Sequence, residues 1–152
     1  MRVELEKELQ DLSPIFLAEL YGNEYKTCMH WGINCSNGWF EPLKRFCIKV
    51  QELNACLKDV AIVAKQIKEK FGEICIYWDL EKTDKPLFER DSANREDYEE
   101  VIAQFRGYRS ELYNEIEITC EFCGKQQYAP LKQTTGWIHC VCDDCYNKRR
   151  NV

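Results

Sequence analysis

The chain is short of the features that mark several large classes of protein. It has only two histidines, seven glycines and four prolines in 152 residues. Two histidines leave little room for a histidine-based catalytic centre. Scarce glycine, with no Gly-rich turn, excludes a P-loop or dinucleotide cradle; the KFGE stretch at Lys70–Glu73 lacks the glycines that a phosphate needs. No apolar run approaches the eighteen or so residues that span a bilayer, and the first residues, MRVELEKELQDL, are charged and lack the apolar stretch of a leader. The net charge of −5 argues against a general nucleic-acid coat. A reducing, cytoplasmic setting is the expectation, with no membrane role.

Cysteine, by contrast, is abundant, at ten residues. Four of them form two CxxC pairs, Cys120/Cys123 and Cys142/Cys145, separated by eighteen residues. That spacing is read as a zinc site. Each pair closes a tight turn, a knuckle, whose amides face the sulfurs, and Gly124 supplies the free dihedral after the first. Two knuckles offer four soft thiolates to one tetrahedral Zn2+. Free or redox-active thiols, or a disulfide pair, are the competing readings. His139, beside Cys140 and Cys142, is an alternative ligand. Four sulfurs leave no open coordination position, so such a site holds a fold and does not activate water.

The remaining elements follow from periodicity. Leu5, Leu9, Leu12 and Phe16 predict an amphipathic helix, and Ser13-Pro14 predicts a second short helix ending near Gly22. Residues 22–38 read as a loop, yet carry Cys28, Met29, His30, Trp31 and Cys35, which must pack on something; Asn37-Gly38 marks a turn. Trp39, Leu43, Phe46, Val50, Leu53 and Leu57 form a helical stripe. VAIVAKQI and EICIYWDL predict two antiparallel strands joined by KEKFG, with Ile74, Ile76 and Trp78 on one face and Cys75 and Tyr77 on the other. A helix over 61–71 is the competing reading. A mobile polar loop is expected over Lys82–Asn94. A long helix follows, Arg95–Ile116, capped by Ser92 or Asn94, with Gly107 suggesting a close helix contact. The ribbon is expected to pair Tyr128–Leu131 with Gly136–Cys140 around a Lys132–Thr135 turn, before a short terminal helix.

The expected architecture is thus α+β. Helices pack on a small antiparallel hairpin in a body of residues 1–116, and a C-terminal four-cysteine zinc ribbon of residues 117–152 docks on it.

Three segments, GINCSNGWFEPLKRFC, KQIKEKFGEICIYW and TCEFCG with GWIHCVCDDC, carry a resemblance over residues 31–146. In order and spacing they resemble a family of small bacterial and phage proteins with no established activity. Its members typically show a GxxCxxGW segment, a VKEKFGxLRFY-like segment and a CExCG…GW…LCxxC zinc ribbon. Gly32, Cys35, Gly38 and Trp39 match the first; Lys68, Glu69, Lys70, Phe71, Gly72 and Tyr77 the second; Gly136, Trp137, Cys142 and Cys145 the last. Cys75 replaces the usual arginine before the strand aromatic. The resemblance implies zinc and a phage or prophage product that binds, and in its sharpest form inhibits, a host defence or regulatory protein. It implies no reaction.

The candidate binding residues are therefore Trp31, Cys35, Trp39, Lys68, Lys70, Phe71 and Trp137. Trp39 is also a core candidate, and Trp31 and Trp137 can be core or interface. Protein is the first partner class, because tryptophan anchors interfaces. Nucleic acid is the second, through Lys125, Lys132, Lys148, Arg149 and Arg150 with Tyr128 and Trp137 for stacking. A small ligand between the GW loop and the KEKFG turn is the remaining option. A Cys35–His30 nucleophile and base pair is the only catalytic arrangement the residues suggest.

Overall fold

The computed structural model describes residues 1–57, 60–82, 95–126, 129–134 and 136–150. Among them the chain is α+β: four α-helices, an antiparallel hairpin, and a C-terminal ribbon that gathers four cysteines. Helix α1 is Val3–Leu12, α2 is Phe40–Cys56, α3 is Arg95–Ile116 and α4 is Asp143–Arg150. Strands β1 (Val60–Lys70) and β2 (Glu73–Lys82) make the first hairpin; β3 (Leu131–Thr134) and β4 (Trp137–Cys140) make the ribbon.

The core forms where one apolar face from each body element meets the others. Phe16, Phe46 of α2, Phe105 of α3 and Trp78 of β2 build an aromatic cluster. Phe105 lies 4.6 Å from Trp78 and 5.8 Å from Phe46, and Phe16 meets Phe46 edge-on at 5.7 Å. Such tilted contacts suit ring quadrupoles and add to simple burial. Asn54, fully buried at the end of α2, accepts from Ile62 N–H at 2.8 Å and donates to Ile62 C=O at 3.0 Å. That paired amide fixes α2 against β1 without leaving a buried polar atom unmet.

Strand alternation is as expected: Ile74 and Ile76 are buried, Trp78 packs on the core, and Tyr77 is exposed. The helical alternative for 61–71 is therefore wrong, because β-branched residues outweigh its weak helical period. The hairpin turn is tighter than KEKFG. Strand β1 runs through Lys70, and Phe71-Gly72 alone turn the chain, with φ of 55° and 80°. Two positive φ angles are the signature of the hairpin turn that matches strand twist. Glycine at 72 takes its angle freely, while Phe71 is held there by the hairpin.

Three expectations need correction. Residues 14–21 form successive turns and no second helix. Their backbone is used elsewhere: Phe16 C=O accepts from Ala64 N–H of β1 at 2.8 Å, and Tyr21, at φ 58°, donates to Met29 C=O at 3.0 Å. Gly107 makes no close helix contact; a Cβ there would meet nothing within 4 Å. The ribbon turn is shorter than Lys132–Thr135, since β3 extends to Thr134 and Lys132 pairs with His139. The predicted Lys82–Asn94 loop lies outside the described residues, apart from Lys82, which closes β2. Ser92, Asn94 and Tyr128 also lie outside them.

The 22–38 segment packs only in part as its composition demanded: Met29, Ile33, Cys35 and Gly38 are buried, whereas Cys28 and Trp31 are exposed. Asn34 adds a short parallel bridge to β1, donating to Ile67 C=O and accepting from Glu69 N–H, at 2.9 and 2.8 Å. Gly38 is the contact that seats the ribbon. Its N–H donates to Glu121 C=O at 2.8 Å, and a Cβ on it would fall 2.3 Å from Cys120 C=O.

Two glycine substitutions should therefore act in opposite directions in urea unfolding followed by tryptophan fluorescence. Gly107→Ala should stabilise the chain by about 0.5–1 kcal/mol, the helix-propensity difference. Gly38→Ala should destabilise it by about 1–3 kcal/mol, because backbone must move to admit the methyl group.

Candidate metal centre

The sulfurs of Cys120, Cys123, Cys142 and Cys145 all lie within 4.8 Å of one another, and those of Cys123 and Cys142 are 3.8 Å apart. A tetrahedron with metal–sulfur bonds of about 2.3 Å has edges of about 3.8 Å. A disulfide needs about 2.05 Å. The four cysteines can hold one metal ion, and they are not cross-linked.

Backbone geometry explains the convergence. In each CxxC turn the residue after the second cysteine donates to the carbonyl of the first. Gly124 N–H reaches Cys120 C=O and Tyr146 N–H reaches Cys142 C=O, both at 2.9 Å. The first turn follows the end of α3, and the second opens α4, whose N-terminal dipole favours thiolate. Glu121 N–H donates to Cys140 C=O at 2.9 Å and ties the first turn to β4. Burial raises the Cys120 thiol, but the backbone N–H groups of Cys142, Cys123 and Phe122 more than offset this and hold it at about 7. Burial and then the Cys123, Cys142 and Cys120 sulfurs push Cys145 well above the ordinary thiol range. Crowded sulfurs resist losing their protons together unless a cation compensates them.

His139 does not replace a thiolate. Its Nδ1 lies 2.6 Å from Oε1 of Glu121, a carboxylate 1% exposed. Burial raises the Glu121 carboxyl; the facing His139 opposes that shift, and Glu69 adds to it. Glu121 was not legible as a buried residue, because nothing in a CxxC turn says which way the intervening side chains face. The fifth ribbon cysteine, Cys140, is no ligand either. Its thiol sits among the carbonyls of Ala129, Ile116, Thr119 and Glu117 at 2.9–3.6 Å and joins the ribbon to the end of α3. Trp39 adds a further tie, donating from Nε1 to Thr119 C=O at 3.0 Å.

The other sequence candidates fall into two groups. Trp39 and Cys35 are buried and position the loop, so neither is placed to meet a partner. Trp31, Trp137 and Phe71 are exposed, at 74%, 67% and 61%. Phe71 stands at the junction with the ribbon, since the adjacent Gly72 abuts Leu131 and the His139–Cys140 backbone, whereas Trp137 pairs with Thr134 at the opposite end of the ribbon. Lys68 and Lys70 lie over the Tyr77 and Phe71 rings, at 5.2 and 5.5 Å from the ring centres. Trp31 belongs to a separate region, where Thr27 Oγ1 donates to Lys65 C=O of β1. His30 does not partner Cys35: its Nδ1–H donates to Gly22 C=O at 2.6 Å. Burial pushes the Cys35 thiol up to about 12, which removes it as a nucleophile.

No family model, curated protein or solved structure matches the chain.

Elemental analysis of freshly purified protein should find about one divalent ion per chain. Cys120→Ser should lose most of it, whereas Cys140→Ala should keep it. Retention by Cys120→Ser would place the ion elsewhere. Iodoacetamide applied to the native metal-loaded chain should modify Cys28 and Cys56, which are exposed, and spare buried Cys35, Cys47 and Cys140. Mass mapping that found Cys35 modified first would restore a reactive-thiol reading.

Proposed function

We propose that the chain is a zinc-containing binding protein whose partner is another protein. The observation that carries this is the combination of a closed four-sulfur cluster with an exposed Trp137 on its own ribbon, Trp31 and Phe71 being exposed on the body. Zinc is the ion that four thiolates in a tetrahedron favour, and such a site serves structure. It leaves the surface to do the work, and Trp31, Trp137 and Phe71 are the residue types that supply binding energy at interfaces. The resemblance of the GxxCxxGW, KEKFG and CxxC segments supports a phage or prophage origin and a host protein as the target. Uncrosslinked cysteines suit the reducing cytoplasm, and none of the described helices is long and apolar enough to cross a membrane.

A nucleic-acid partner is less well supported. Among the ribbon cations, Lys125 pairs with Asp144 and Lys132 with Asp143, and Arg149 stacks on Phe122 at 3.6 Å. Their charges are partly spent within the ribbon, on a chain that is acidic as a whole.

A tagged chain incubated with host extract should capture a defined protein at near-equal stoichiometry with nuclease present, and Trp137→Ala should reduce that capture at least about tenfold. The purified protein should carry zinc as its bound ion. Nuclease-sensitive capture, with salt-dependent binding to mixed-sequence DNA or RNA, would overturn the reading.

A further inference from the structure

A small recess lies where the tip of the first hairpin meets the end of α3. Gly72, Glu73 and Ile74 form one wall, and Tyr113, Ile116 and Glu117 form the other. Its volume is about 120 Å³. That is on the order of four waters, and well below the roughly 300 Å³ at which cofactor and drug-sized pockets begin. It has room for one side chain.

Its chemistry has two parts. Ile74 and Ile116 are buried and make an apolar floor, with the half-buried Tyr113 beside them. Glu73 and Glu117 are exposed at the rim, and among the described residues neither makes an ion pair. The recess also sits at the C-terminal end of a 22-residue helix whose last turn holds no basic residue. The carbonyls of that end are met, Tyr113 by Glu117 N–H, Glu115 by Ile118 N–H and Thr119 Oγ1, and Ile116 by Thr119 N–H and the Cys140 thiol, so the charge at the recess comes from the two carboxylates. Two carboxylates thus stand over an aliphatic surface. The chain's own cations are engaged beside it: Lys70 pairs in register with Glu73 but lies over Phe71, and Arg109 lies over the Tyr113 ring at 5.5 Å. Around the recess stand exposed apolar groups, Phe71, Leu131 and Ile118.

A lysine side chain matches this arrangement. Its methylene stem suits the isoleucine floor and its ammonium suits the carboxylate rim. Apolar neighbours of that lysine would rest on Phe71, Leu131 and Ile118. We infer that the recess between Glu73 and Glu117 receives a lysine presented by a basic partner protein, next to apolar residues of the same partner. This inference rests on the protein-binding reading above and names the chemistry of the partner. The overall charge of −5 works in the same direction by steering a basic partner inward.

The test uses the intact, metal-loaded chain and amide NMR. Acetyl-Leu-Lys-Leu-amide should shift the amides of Gly72, Ile74 and Glu117 saturably. The norleucine analogue keeps the stem and lacks the charge, so it should bind at least about tenfold more weakly. The Glu73→Gln/Glu117→Gln chain, altered only at exposed positions, should lose the preference for lysine over norleucine. Equal binding of the two peptides, no saturable shift, or an unchanged preference in the double variant would each overturn the inference. So would an RNA oligonucleotide that shifts the same amides more strongly than the peptide. A chain that captures a protein partner yet ignores lysine refutes only the recess. A chain that binds the lysine peptide yet captures no protein refutes the broader reading.

Discussion

Four sulfurs held within a few ångströms of each other cannot all carry charge without a cation among them. This constraint sets the logic of the C-terminal third. An ion held there would displace protons from the thiols and fix two turns whose backbones lie far apart in sequence. Because each turn is continuous with a helix, α3 before the first and α4 opening at the second, the cluster aligns both. The ribbon's β-pairing, only four residues long, is too short to be stable alone.

The same cluster is tied to the body by backbone contacts that admit no side chain. Gly38 brings the entrance of α2 against Cys120 and Glu121, and Gly72 brings the hairpin tip against Leu131 and Cys140. The Cys140 thiol then meets the Ile116 carbonyl and the Trp39 indole the Thr119 carbonyl, both near the end of α3. Two apparently separate sequence signals, the GW turn and the KFG turn, therefore have one physical purpose. Both are places where ribbon and body approach too closely for a Cβ.

The surface consequences follow from that junction. Seating the ribbon at the hairpin tip leaves Phe71 and Leu131 exposed together, and it forms the acid-rimmed recess at the end of α3. The most sequence-prominent thiol outside the four-cysteine cluster, Cys35, is buried and held protonated.

Local chemistry in the sequence was sufficient for several features. The spacing of Cys120, Cys123, Cys142 and Cys145 announced the cluster because ligand turns are local. The apolar stripe of α2 and the alternation of β2 announced their faces because periodicity is a property of one element. Other features depended on long-range partners and were not legible. Residues 14–21 have a good helix start, yet the Phe16 carbonyl accepts from Ala64 of β1 and the Tyr21 N–H donates to Met29 of the loop they cross. Glu121 has the charge of a surface residue, and only the packing of ribbon on body buries it. Trp39 and Trp137 each follow a glycine in the sequence, but one is wholly buried and the other two-thirds exposed. Burial is decided by what packs against a residue, and for these residues that neighbour lies far along the chain.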